Sequence, residues 1–337
     1  MKPKLLIAEL WGLGDLVIAT PFLRAAVAQF DVTLIAKPYA LDLQPRLWPG
    51  VRIFPFNAPW TAFTKKYYFW RWPLLEMLRL QQSLAAEQFD IALSPRRQWF
   101  LGRLGGDPRD LLILKVIHAR ERIGFPHLGS GAFLTRSLPL PVPDAHRYES
   151  WRIAGKALGI DLPPSEQLIA APLRNNKTVL LHSGARLPAR IWPLENWRKL
   201  AGHLREKNYD VQVVCDAHQE TWWKQNGETN VACPRTVTDL FSLIDRAGVH
   251  IGNCSGPGHL AAISGAPTFT VFGPSMKEWF APLHPQAEWI EGKACPYKPC
   301  SDYCRFPKNF CIQDLSEDEV WPRAEKFVQK HIANGPA

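Results

Sequence analysis

Nothing in the 337 residues approaches the roughly 20 consecutive apolar positions that cross a bilayer. No short-period repeat or low-complexity tract is present either, which excludes solenoid and fibrous architectures. The opening MKPKLLIAELWGLGDL has the look of a secretory leader, but Glu9 and Asp15 break its apolar run and no small-residue cleavage site follows. It is read as a buried first strand, and the protein is expected in the cytoplasm. The dinucleotide fingerprint is incomplete: Gly12 and Gly14 are there, the third glycine or alanine is not, and Lys37 stands where a ribose-binding acid would follow the second strand. That argues against a nicotinamide enzyme. Paired CxxC knuckles are lacking, and seven cysteines in a cytoplasmic chain argue against a disulfide framework.

What is there fits a soluble globular protein of two domains, with 46% hydrophobic and 21% charged residues and a length that allows two cores. The formal charge of +9 is uneven, since residues 60–125 hold eleven Lys/Arg against six Asp/Glu. Within that region PWTAFTKKYYFWRWP sets Trp60, Tyr67, Tyr68, Phe69, Trp70 and Trp72 around Lys65, Lys66 and Arg71. Rings beside cations suit an anionic membrane surface. Stacking on nucleic acid and a partly buried surface loop are the alternatives.

Strand-like and helix-like segments alternate along the first half. Strands are predicted at 4–10, 32–36, 51–54 and 89–94, with helices at 15–30 and 74–87, the rhythm of a parallel sheet with crossover helices. A Pro-rich interval at 138–147 precedes a helix at 148–158, and a second, 161–176, reads as a linker. The rhythm then restarts, with strands at 178–182 and 211–215 and helices at 194–207, from about 218, and at 236–246. The expected class is α/β, with two Rossmann-like doubly wound domains facing a central cleft. The domains are drawn at 1–165 and 175–315. A last helix over 316–337 opens on the capping box Ser316-x-x-Glu319 and is free to pack back toward the N-terminal domain.

Two glycine turns carry the chemistry. In VHIGNCSGPGHLAAISGAPTFTVFGPS (249–275) an apolar run stops at Asn253-Cys254-Ser255-Gly256-Pro257-Gly258, and a helix begins near His259. Ser255 suits the N-cap and Pro257 the first turn. Bare N–H groups at a helix start form an anion site, although a plain βαβ turn has the same composition. After the linker, Ser183-Gly184-Ala185 ends a strand with small residues. Arg186 and Arg190 follow, able to give a diphosphate charge-assisted hydrogen bonds. Glu220 is either a ribose acceptor or a first-turn acid. In the first turn Asp15 is either a helix-start residue or a general base for an acceptor hydroxyl.

Four motifs in order carry a resemblance: Gly14-Asp15-Leu16-x-x-x-x-Pro21, His182-Ser183-Gly184-Ala185, Arg190-x-Trp192-Pro193 and Ser255-Gly256-Pro257-x-His259-Leu260-Ala261. The chain resembles glycosyltransferase family 9, the lipopolysaccharide heptosyltransferases, over nearly its whole length. The resemblance implies a GT-B fold and inverting transfer from an ADP-heptose to a lipid-linked, anionic saccharide at the cytoplasmic surface of the inner membrane. Nucleic acid is not among the partners. Asp15 matches the general base and Arg190 a donor-phosphate contact with a catalytic share. Ser183, Gly184, Glu220, Cys254, Ser255, Gly256, Gly258 and His259 fall on the donor side. Gly14, Lys65, Lys66, Arg96 and Arg97 are assigned to the acceptor.

One departure matters: the family has Asp where this chain has Cys254. A non-catalytic nucleotide-sugar binder of the same fold, or a UDP-sugar epimerase, is therefore an alternative. No cofactor is needed for the transfer. Cys295, Cys300, Cys304 and Cys311, separated by four, three and six residues, permit a structural zinc, with disulfides or free thiols as the other outcomes. Cys215 and Cys233 read as small buried hydrophobes.

Overall fold

The computed structural model describes residues 2–62, 68–100, 103–127, 129–168, 176–300 and 304–332. The chain divides into two units, Met1–Pro164 and Ser165–Ala337.

In the first unit the strands are β1 (Lys4–Ala8), β2 (Asp31–Ala36), β3 (Arg52–Pro55), β4 (Ile91–Ser94), the antiparallel pair β5 (Gln98–Phe100) and β6 (Arg103–Gly105), β7 (Glu121–Gly124) and β8 (Arg136–Ser137). The six-stranded sheet has the order β3-β2-β1-β4-β7-β8 and is parallel throughout. Its helices are α1 (Leu13–Ile18), α2 (Thr20–Gln29), α3 (Ala40–Leu47), α4 (Leu74–Ala86), α5 (Pro108–Val116) and α6 (Arg147–Ala157). Leu5–Ala8 and Val32–Ala36 are buried without a break, as strands covered on both faces must be. Leu6, Ala8, Ile35, Ala92, Leu111 and Leu114 belong to one core cluster.

The pattern at 15–30 predicts one helix, but the structure makes two. Ala19 closes α1 by donating to the carbonyls of Asp15 and Leu16. Pro21 then sits in the first turn of α2, where its missing N–H is tolerated.

The second unit repeats the plan. Strands β9 (Thr178–His182), β10 (Asp210–Val214), β11 (Val231–Ala232), β12 (Ala247–Asn253), β13 (Thr268–Phe272) and β14 (Glu288–Glu291) form a parallel sheet in the order β11-β10-β9-β12-β13-β14. The helices are α7 (Leu194–Glu206), α8 (Ala217–Gln225), α9 (Val237–Ile244), α10 (Gly256–Ile263), the short α11 (Lys277–Phe280) and α12 (Phe310–Gln313), and α13 (Glu317–His331). Helix α13 packs on α7, β12 and β14 of its own unit, adding Val320, Ala324, Phe327 and Val328 to that core. Its capping box is formed: Glu319 N–H donates to Ser316 Oγ (3.3 Å) and Ser316 N–H to Glu319 Oε2 (2.8 Å). Among the described residues no helix is long and apolar enough to cross a membrane.

Both sheets reverse their strand order once, at β1/β4 and at β9/β12. Ligands of open α/β sheets bind beyond the carboxyl ends of the strands at such reversals.

Candidate functional site

At the first reversal the chain leaves β1 through Glu9 to Asp15. Gly12 N–H donates to Asp15 Oδ2 (3.1 Å), so this carboxylate closes the start of α1. Its other oxygen, Oδ1, accepts from Arg96 Nη1, 2.8 Å away, just past the end of β4. The Arg96 guanidinium lies 4.3 Å from the Trp11 ring centroid. Trp11 Nε1–H and Trp60 Nε1–H each donate to Asp110, both at 2.9 Å. A chain of contacts therefore runs from Asp110 on α5 through the Trp11 indole to the guanidinium that faces Asp15. Asp15 starts the helix, and it also lines a recess with Glu9, Arg96, Arg97, Arg147 and Ser150.

Glu9 was not singled out by the sequence reasoning. It is 3% exposed. Burial pushes its carboxyl up to about 8, Asp15 and Asp110 push the same way, and Arg96 and the Trp11 N–H pull back. Asp110 is raised to about 7, again chiefly by burial and then by Asp107, against the pull of the two indoles and Arg96. Burial alone would lower Arg96, but Asp15, Glu9 and Asp110 outweigh it and the guanidinium is held firmly charged. Of the carboxyls around Arg96, Asp15 is the one paired directly with it.

Arg97, expected on the acceptor side, also lines that recess. It is 1% exposed, and its guanidinium donates to the carbonyls of Val142, Ala145 and His146. It fastens the Pro-rich interval to the end of β4. Arg147, another residue missed in the sequence, donates to the Arg97 carbonyl and is buried as well, at 8% exposed. Gly14 lies inside α1. Lys65 and Lys66 fall outside the described residues.

At the second reversal Ser183 is fully buried. Its hydroxyl accepts from Trp223 Nε1 (3.0 Å) and donates to Gln219 Oε1 (3.1 Å). That hydroxyl is thus committed to holding α8 against β9. A Cβ on Gly184 would lie 2.5–2.6 Å from the Asp216 carboxylate, so any larger residue there has to displace that side chain. Glu220 pairs with Lys224 one helical turn on (2.6 Å), the first-turn-acid arrangement.

Asn253, at the end of β12, joins the loops of this edge. Its Oδ1 accepts from Trp192 N–H (2.9 Å), and its Nδ2 donates to the carbonyls of Ser183 (2.8 Å) and Gly184 (3.3 Å). Asn253→Ala is expected to lower unfolding free energy by about 2–3 kcal/mol, since three buried backbone groups lose a partner. A reduced urea midpoint at unchanged m-value is the measurement.

Ser255 takes the N-cap position of α10 with extended backbone, and Pro257 lies in the first turn, as expected. Its side chain makes no capping bond, and its Oγ is buried with no partner among the described residues. The first-turn amides at Gly256 and Gly258 are therefore not occupied by the cap. Cys254 and His259 are both buried beside this turn. His182 and His250 face each other with ring centroids 6.2 Å apart. Burial lowers both, His250 to about 3, so both rings are neutral at physiological pH. Arg190, in a single 3-10 turn, has an Nε with no partner among the described residues.

Among the described residues no group of three or more His, Cys, Asp or Glu is arranged to hold a metal ion. Cys300 and Cys311 are buried, Cys295 and Cys304 partly so, and all four are free thiols. Burial raises Cys300, and lifts Cys311 to about 11. Cys215 is buried and Cys233 half-buried against the second core.

Residues 144–309 match the family model described as Glycosyltransferase family 9 (heptosyltransferase). A lipooligosaccharide heptosyltransferase 2 from Campylobacter jejuni is 25% identical over 170 residues, which are 47% of this chain and 53% of that protein. The chain thus spans about half the length of the curated relative it matches. Among solved structures, a glycosyltransferase family 9 protein from Veillonella parvula superposes with TM-score 0.73 at 17% identity, covering 98% of each chain. The E. coli heptosyltransferase WaaC with ADP gives 0.72 at 17%, covering 96% and 99%. E. coli ADP-heptose lps heptosyltransferase II gives 0.68 at 17%, covering 97% and 99%. At these identities the likeness establishes the fold, two Rossmann-like units of the GT-B-like class.

Proposed function

The chain belongs to glycosyltransferase family 9, and on that premise we propose that it is an inverting glycosyltransferase. It moves a heptose, or a related sugar, from an ADP-sugar to a lipid-linked anionic saccharide of the lipopolysaccharide-core class. The reaction takes place at the cytoplasmic face of the inner membrane. The observation that carries the reading is a carboxylate, Asp15, at one sheet reversal and an uncapped helix start, α10, at the other.

The donor's diphosphate rests on the first-turn amides of α10, with Arg190 as its cation. Asp15 takes the proton from the acceptor hydroxyl as that oxygen attacks the anomeric carbon, and the bond to the diphosphate breaks on the opposite face. Negative charge grows on the leaving diphosphate, where oriented N–H groups and a guanidinium stabilise it without reorganising. The bond from Arg96 Nη1 holds the Asp15 carboxylate in place. The neutral His182–His250 pair adds no competing cation beside the donor. No step needs a metal. A structural zinc on Cys295, Cys300, Cys304 and Cys311 is a separate proposal, outside the transfer chemistry.

Thermal-shift measurement with ADP, UDP, GDP and CMP tests the donor half. ADP is expected to raise the melting temperature most, since a ligand at about 100 times its Kd adds about 2.7 kcal/mol. A shift with UDP alone would remove the ADP-sugar reading and favour an epimerase. Cys254, in place of a family carboxylate, supports a second reading in which the donor binds but no transfer follows. ADP binding with no product on any anionic saccharide lipid would establish it.

A further inference from the structure

Helix α4 does not follow the rule that a surface helix turns apolar residues inward and polar ones outward. Its inner face is conventional: Leu84 is buried, and Met77 and Leu80 pack on the first unit's core. Its outer face is also apolar, with Leu74 60%, Leu75 71% and Leu78 55% exposed. The turn before it continues the surface, with Phe69 60% and Trp70 77% exposed. The ring of Trp70 stacks on Tyr68 at 5.0 Å and 13° rather than on the core. On α5, which packs against α4, Leu112 and Val116 are exposed as well, and Gln81 Nε2 on α4 donates to the Val116 carbonyl. Single exposed leucines are ordinary, whereas a contiguous apolar face of this kind marks a surface that meets something.

The charge around it selects the partner. Arg71 and Arg79 are exposed on the α4 side and Lys115 on the α5 side, while Glu76 is the sole acid between residues 68 and 81. Arg71 lies over the Tyr68 ring at 5.7 Å. A protein partner would have to bury this much aromatic and leucine surface while neutralising the cations around it. A bilayer with anionic headgroups does both: rings sit at headgroup depth, leucines enter the acyl boundary and Arg/Lys meet phosphates.

We infer that Phe69, Trp70, Leu74, Leu75 and Leu78 form a membrane-seating surface that inserts into the interface of an anionic bilayer, with Arg71, Arg79 and Lys115 on its headgroups. Vesicle binding needs neither donor nor acceptor, so failure here leaves the transfer reading intact, and failure of transfer leaves this surface intact.

Flotation of the full chain with phosphatidylglycerol-containing vesicles, against pure phosphatidylcholine, is the test. Wild-type protein is expected to float with the anionic vesicles, more weakly at high salt and at least about tenfold more weakly on the neutral ones. The double variant Trp70→Ser/Leu75→Ser should lose at least about tenfold in affinity, since both side chains leave the interface. Because both residues are exposed, its melting temperature should match wild type. Three results would overturn the inference. One is failure of wild type to float on anionic vesicles. Another is equal flotation of the variant. The third is a wild-type dimer that the variant disperses without any flotation, which would make the face a contact between copies of this chain.

Discussion

Asp15→Asn is expected to lower transfer turnover by about 10²–10⁴-fold, with ADP affinity unchanged. The amide keeps a carbonyl oxygen that can accept from Arg96 Nη1, as Asp15 Oδ1 does at 2.8 Å. It cannot take a proton from the acceptor hydroxyl. The bond from Gly12 N–H to Oδ2 is the structural part of the loss, worth about 1 kcal/mol as a cap, and a melting curve separates it from the catalytic part. ADP binding should not respond, because the proposed donor contacts, Arg190 and the first-turn amides of α10, all belong to the second unit. Near-normal turnover would remove Asp15 from the role of base and leave it as a helix start. Loss of ADP affinity together with turnover would point instead to damage of the fold.

The same residue shows what the sequence could and could not deliver. The strands that carry both reversals were legible because they are apolar runs, unbroken at Leu5–Ala8 and Val179–Leu181 and interrupted only by His250 in Val249–Gly252, as strands buried in the middle of a sheet are. Of the outer strands, β3 was read at 51–54 and the others were not. β7 opens on Glu121-Arg122 and β14 is bracketed by Glu288 and Glu291, and such short, half-exposed strands lack the periodicity that identifies one. β11 is two residues long.

Within the site, position was legible and partnership was not. Gly184 lies just past the end of β9 and Ser255 at the N-cap of α10, where the sequence places them. That Ser183 is taken by Trp223 and Gln219, or Arg97 by three carbonyls of 142–146, follows from contacts 36 to 49 residues apart in sequence, which no local pattern encodes. Glu9 had a signal that the glycine turn overshadowed: a carboxylate directly at the end of a buried run, where burial must raise its pKa unless something pairs with it. Arg96 is claimed by Asp15, so Glu9 accommodates burial by holding a proton.

That proton makes stability depend on pH in a direction opposite to the usual carboxylate. Glu9 ionises near 4.5 when unfolded and at about 8 when folded. Below about pH 4.5 it is neutral in both states and costs nothing. Between about 4.5 and 8 unfolding releases a proton, so the stability Glu9 confers at acid pH is lost as pH rises, by at most about 1.4 kcal/mol per pH unit. Above about 8 it is charged in both states and the slope ends. Glu9→Gln preserves the side chain's shape and its acceptor oxygen for the Trp11 N–H, which Glu9 Oε1 now receives at 3.2 Å, but it cannot ionise. The variant is therefore expected to match wild type near pH 4.5 and to gain progressively on it up to pH 8, read from urea midpoints at several pH values. Asp110, with its own pKa raised to about 7, slopes the same way in both proteins and largely cancels from the difference. A variant whose advantage is flat across this window would mean that Glu9 ionises normally in the fold. The recess would then hold two carboxylates against Arg96, and Asp15 would have a rival for the acceptor's proton.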